Sequence, residues 1–391
     1  MLTGNTWGLL GPEILPSSRR TRTLGLAASV RLFNDRAVPG LGGVWYGKQL
    51  LLASLGVAVA EQARNKGAKV QNIEVANAIE ALGCWLAFES NGWSRDARLR
   101  GNTKLQSKKG DDFRFARARQ RSFYVTQPMR MATVQALPAL GFVEADSARF
   151  NAFRCSKAGM DFVKEVCKDY RPYNRSVTKH LSLWARTQDD RVETEALRNA
   201  LSPLVPLSDD TLPLLHERLL QGGNEGVEDK HRRSNALAWV DEIRSTKSSK
   251  LTWNTRPTVI TGGHWHDLVA GARFFRAREA AIAVLDALEA HIGNQTNGQS
   301  YSLRSTAPEC LSPLLNSLRT AAMAFLDTEH MTFEANSFCR ECTSDASQVL
   351  RSLVARDGHV LRLVGETVKP GPAFRGMAIE EGEEEDESAD C

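Results

Sequence analysis

Apolar residues recur at helical spacing through most of the chain, and this pattern sets the first expectations. Over 48–64 the run KQLLLASLGVAVAEQAR is apolar almost without interruption until Glu61, which predicts a buried helix. Asn72 then stands as the N-cap of IEVANAIEALGCWLAFES, where Ile73, Ala76, Ile79, Leu82, Gly83 and Leu86 fall on one face. Beyond Lys168 the 3.6-residue period returns around 193–201, 209–221, 234–244, 266–292, 311–326 and 344–355. The connectors between these segments are rich in Gly, Asn, Ser and charge, as loops are. No longer repeat marks a solenoid.

Between the two helical halves the period shortens. Pro128 suits a first helical turn, Met129, Met131, Ala132, Val134, Gln135 and Leu137 carry that helix forward, and Leu140-Gly141 ends it. Phe142-Val143-Glu144 reads as an outgoing strand, Asp146-Ser147 as a turn and 149–155 (RFNAFRC) as the return. Ser156 is placed to cap a following helix, KAGMDFVKEVCK, and 122–126 (SFYVT) is a further strand candidate. This order, with the wording LxxLGFVE, FxxFRCSKAG and FV, resembles the winged helix-turn-helix superfamily over about residues 120–168. The resemblance implies that the helix from Pro128 to Leu140 is the recognition element. Arg130, Thr133 and Gln135 would then approach base edges, with Arg149 and Asn151 on the wing against the phosphate backbone or minor groove.

The fold expected is therefore mainly α: an N-terminal winged helix-turn-helix with a small β-hairpin wing, followed by a helical C-terminal domain. Its parts are an irregular segment 1–43, a winged-helix-like domain 44–168, a helical domain 169–379 and an acidic tail 380–391. The tail holds eight acids and no base, so it cannot bury apolar area and is expected to be disordered. Without it the net charge of +4 becomes +12. An apolar share of 42% with 25% charged residues suits a globular chain of two or three domains. The apolar run 50–60 falls far short of the ~20 residues that span a bilayer, and the start lacks the order of a secretory signal, so a cytoplasmic protein without a membrane span is expected. Seven scattered cysteines, an odd count, suit reduced thiols.

Charge supplies the main chemical lead. Residues 95–121 carry ten Lys or Arg against three Asp, the densest positive segment of the chain. Arg114, Arg117, Arg119 and Arg121 could neutralise phosphates, and Phe113, Phe115, Phe123 and Tyr124 are interleaved with them, either for core burial or for stacking on bases. Three weaker motifs accompany this segment. Gly42, Gly47 and Lys48 in GGVWYGKQ fit half of a phosphate-binding loop, although Gln49 stands where a hydroxyl is needed. Cys339 and Cys342 (CREC) have the spacing of a zinc knuckle that Cys310, His330 or His359 would complete into a structural zinc site. His264, His266 and Asp267 (GGHWHD) could serve one metal, or form a turn at a helix start. Glu74, Asn77 and Glu80 share one helix side, read as a solvated polar face. No nucleophile elbow, kinase signature or dinucleotide fingerprint is present, and no cofactor is predicted.

These readings converge on a DNA-binding protein without a catalytic motif: a regulator, or a DNA-sensing subunit of a multi-protein prokaryotic system such as phage defence or a mobile element. Residues 169–379 would mediate homo-oligomerisation or contacts with a protein partner. The alternatives are an interaction subunit that uses the winged helix as a protein dock with no nucleic-acid role, and a nucleotide- or metal-dependent enzyme resting on Lys48 or the His264 region.

Overall fold

The computed structural model describes residues 22–223, 226–246, 253–295 and 299–376, so the acidic tail and residues 1–21 lie outside the described residues. In chain order the helices begin with α1 (Ala27–Ala37), α2 (Gly47–Arg64), α3 (Asn72–Ser90), α4 (Asn102–Gln106), α5 (Phe115–Ala118) and α6 (Ala136–Ala139). They continue with α7 (Lys157–Val166), α8 (Val177–Ala185), α9 (Glu195–Leu201), α10 (Leu212–Gln221) and α11 (Val227–Thr246). The last four are α12 (Gly262–Gly293), α13 (Ser312–Leu326), α14 (Phe333–Glu341) and α15 (Ala346–Asp357). The protein is mainly helical, with two small antiparallel sheets among the described residues.

The chain divides into two compact units, 38–246 and a second made of 22–37 together with 253–376. In the first unit α2 and α3 are buried almost all round, as helices apolar on every side must be. Their crossing is close at Gly56, where an added Cβ would lie 2.6 Å from the Cβ of Ala76. The boundary expected at 168/169 falls inside this unit, because Trp184, Leu201 and Leu219 share its core with Leu52 and Ile79.

The hairpin is present. β1 (Val143–Ala145) and β2 (Phe153–Cys155) pair antiparallel with Val143 opposite Cys155. Gly141 takes the left-handed conformation (φ 70°) that ends the preceding turn, and Ser156 caps α7 by accepting from the Gly159 amide at 3.0 Å. Gly159 is required there, since a Cβ would sit 2.0 Å from the Phe142 carbonyl oxygen. Asn72 is not the N-cap of α3. Gln71 holds that position, its amide donating to Glu74, while the Asn72 side chain turns inward and donates to the carbonyls of Phe150 and Phe153 at 3.0 and 2.8 Å.

Two other expectations are corrected. Residues 122–126 form turns rather than a strand. The helix expected over 128–140 is instead a 3₁₀ turn, Met129–Thr133, followed by the four-residue α6. Pro138 lies inside α6, where it lacks the amide that would extend the helix and crowds the turn before it.

The second unit is built around α12. The stretch 1–43, read as irregular, contains α1, whose Val30 and Phe33, with Leu26 just before it, lay a short apolar stripe on this core. The Phe33 ring packs on Phe274 at 5.2 Å and edge-on to Phe325 at 6.0 Å. Arg22 is buried and pairs with Glu289 and Asp357 at 2.6 and 2.5 Å. A three-stranded sheet, β3 (Tyr301–Ser302), β4 (Leu361–Val364) and β5 (Thr367–Pro370) in the order β3-β5-β4, completes the unit. No helix among the described residues is long and apolar enough to cross a membrane.

Candidate nucleic-acid interface

The basic connector folds by sorting its residues. In 113–119 Phe113, Phe115 and Ala118 turn inward, Arg114 and Arg117 outward, and Arg119 lies half-buried. Phe113 packs against Trp85 at 4.6 Å and edge-on to Phe123, and Phe115 lies edge-on to Trp184 at 5.3 Å. Tyr124 is buried as well, so none of the four interleaved aromatics is available to stack on bases. All ten cations of 95–121 remain at least partly exposed, which leaves a positive ledge over a buried aromatic base.

On that ledge Arg114, Arg117 and Arg121 are exposed and Arg119 is half-buried. Arg117 pairs with Asp112 at 2.5 Å, Arg119 with Glu74 at 2.7 Å and Arg114 loosely with Asp190 at 3.7 Å. Exposed pairs of this kind contribute only ~0–1 kcal/mol, so a phosphate can compete for each guanidinium. Arg121 makes no ion pair among the described residues. An open groove of about 500 Å³ runs beside it, lined by Gln71, Ile73, Glu74, Ala116, Arg119, Gln120 and Arg121. The hairpin reaches the same end of α3. Asn151 accepts from the Ile73 amide at 2.9 Å and donates to the Gln71 side chain at 3.1 Å.

The recognition residues separate into two groups. Gln135 and Arg149 are exposed, whereas Arg130 and Thr133 are buried. The Thr133 hydroxyl donates back to the Arg130 carbonyl at 2.9 Å. The Arg130 amide donates to Glu80 Oε1 at 3.0 Å, and the Tyr124 hydroxyl donates to Glu80 Oε2 at 2.6 Å. Glu80 and Asn77 are therefore core residues rather than a solvated face. Burial pushes the Glu80 carboxyl above its ordinary range, and the Tyr124 and Arg130 contacts oppose that rise.

The weaker motifs resolve differently. Lys48 does not face a phosphate: it is buried and donates to the carbonyls of Ala200 and Asn199, at 2.6 and 3.1 Å, at the end of α9. Gln49 takes the Trp45 amide at 2.7 Å, and Gly47 sits against Leu207, which closes the Gly47 side of the loop to a phosphate, while Gly42 is half-buried. Cys339 and Cys342 lie in the core of the second unit, and among the described residues no third ligand gathers with them. His264 is drawn away from His266 by its Nε2, which lies 2.8 Å from the Ala37 carbonyl. His266 and Asp267 instead meet His330, a residue the sequence had placed only with the cysteines. Comparison with family models, curated proteins and solved structures gives no match for this chain.

Burial lowers the Lys48 ammonium to about 8, which makes alkaline stability a test of its position. The unfolded chain holds this proton to about 10.4, so between the two values the unfolded state binds more protons and stability rises with pH. Measured against Lys48→Met, wild type should gain on the order of 2–3 kcal/mol from pH 8 to 10.5, read as a diverging pair of urea-unfolding midpoints. Parallel midpoints across that range would place the ammonium in water.

Proposed function

We propose that the protein binds DNA through the positive ledge of its first unit, by phosphate contact and without reading sequence. The observation that carries this reading is the sorting of 95–121, which keeps every cation at least partly exposed while burying the aromatics that could have met bases. Arg114, Arg117 and Arg121 with Arg149 then act as phosphate donors, and Arg119 shifts between Glu74 and a phosphate. The order of turn, hairpin and capped helix supports a winged-helix derivation, with the hairpin fixed to α3 through Asn72 and Asn151. Burial of Arg130 and Thr133 leaves Gln135 alone at the recognition position, which favours a DNA-sensing subunit over a sequence-reading regulator.

Fluorescence anisotropy with mixed-sequence duplex and single-stranded DNA across a salt series tests this directly. Each phosphate contact contributes a slope of roughly 0.9 in log affinity against log salt for duplex. Changing Arg114, Arg117, Arg119 and Arg121 to Ala together should flatten that slope by up to about 3.6 and weaken low-salt binding at least tenfold. Deleting the acids after Ile379 should tighten binding by removing a competitor for the ledge. If wild type shows no affinity at low salt, or the quadruple variant binds as wild type does, the ledge is not a DNA site and the hairpin face becomes a protein-docking surface.

A further inference from the structure

The second unit holds a separate chemical arrangement where the end of α1, the start of α12 and the turn between α13 and α14 converge. His266 and Asp267 come from the second turn of α12, His330 from the turn, and Arg36 from the last turn of α1. One ligand atom each from His266, Asp267 and His330 lies within 4.8 Å of the others. Asp267 and His330 are buried and His266 is exposed, which gives the group two walls and one open side.

The partners around the two imidazoles differ in what they require of each ring. The His266 Nε2 lies 2.7 Å from the Thr328 carbonyl oxygen, which only accepts, so Nε2 carries the proton and Nδ1 keeps its lone pair. His330 Nε2 lies 3.0 Å from both Arg36 Nη1, which only donates, and Asp267 Oδ1, which only accepts, so it can meet one or the other according to its tautomer. On its other side, His330 Nδ1 lies 2.8 Å from Thr332 Oγ1, a hydroxyl that can donate or accept. Asp267 Oδ1 is 3.0 Å from His330 Nε2 and 2.9 Å from the same Arg36 nitrogen. A carboxylate oxygen and an imidazole nitrogen thus gather around one cationic N–H, with Thr332 behind the imidazole as outer partners stand behind metal-ligating histidines.

We propose that His266, Asp267 and His330 bind a divalent first-row transition cation of the zinc class, and that Arg36 is the built-in competitor whose guanidinium leaves when the metal enters. Two imidazoles and one carboxylate, without thiolate, select such an ion over magnesium or calcium, and three protein ligands leave a coordination position open. Arg36 is 42% exposed, so its side chain has solvent to swing into. The site lies in a different unit from the DNA ledge and stands independently of that proposal.

Equilibrium dialysis of the full-length, chelator-treated protein against Zn2+ provides the test, with Co2+ absorption spectra as a report on the ligand set. Wild type should take up one equivalent. Arg36→Gln should bind at least tenfold more tightly, because a positive charge about 3 Å from the ligands is removed. His266→Gln, at an exposed position, and His330→Gln should each weaken binding by at least tenfold and alter the Co2+ spectrum, and Thr332→Val should cost about tenfold by releasing the His330 ring. Absence of uptake in both wild type and Arg36→Gln overturns the proposal. Uptake that survives His266→Gln and His330→Gln also overturns it, since the metal would then be held elsewhere.

Discussion

Replacing Glu80 with alanine lowers the unfolding free energy of the first unit by about 3–5 kcal/mol, the range expected when one partner of a buried charged network is removed. The carboxylate is fully enclosed and accepts from the Tyr124 hydroxyl and the Arg130 amide. Alanine leaves both donors buried without an acceptor and leaves the largely buried Arg130 cation facing none, which adds to the loss. Glu80→Gln keeps one acceptor oxygen and so should cost about half as much. Urea unfolding followed by tryptophan fluorescence and far-UV circular dichroism measures both. A loss below about 1 kcal/mol for Glu80→Ala would mean that water reaches this carboxylate and that 124–133 is not pinned to α3.

Trp184→Ala is the second large effect, again about 3–5 kcal/mol for a fully buried ring of this size. Trp184 on α8 is 0% exposed, lies edge-on to Phe115, and donates from Nε1 to the Phe113 carbonyl at 2.8 Å. It therefore fixes from below the backbone that carries Arg114 and Arg117. Trp184→Phe retains the ring contact but loses the hydrogen bond, so it should cost about 1–2 kcal/mol and leave DNA affinity near wild type. The alanine variant, assayed at a temperature where it remains folded, should bind DNA more weakly although no phosphate-facing residue has changed. Equal affinity in the two variants would show that the ledge does not depend on its aromatic base.

Long periodic helices were readable from the chain because burial selected their residues over several turns, as in α2, α3 and α12. The hairpin was readable because Gly141 and Ser156 punctuate it. What local pattern could not show was which polar residues lie inside. Glu80 and Arg130 read as solvent-facing because each occupies a polar position in a short window. The elements that enclose them, 122–133 over α3, come from 44 to 50 residues away. His330 was hidden for the same reason, 63 residues from Asp267 with no shared spacing to signal the meeting. The hydrophobic pattern over 128–140 outweighed Pro138 in the sequence reading, and the structure follows the proline rather than the pattern.

The second unit draws on both sides of the first in chain order, with α1 and Arg22 before it and α12 to α15 after it. During synthesis Phe33 and Arg22 leave the ribosome before Phe274, Glu289 and Asp357 exist to receive them. At roughly 5–20 residues per second the wait is tens of seconds. The intervening unit can complete its own core in that time, while an apolar helix stripe and an uncompensated cation stay open to chaperones and to neighbouring nascent chains. Slow codons across the stretch that encodes residues 38–246 should therefore penalise the later-assembling unit more than the one they encode.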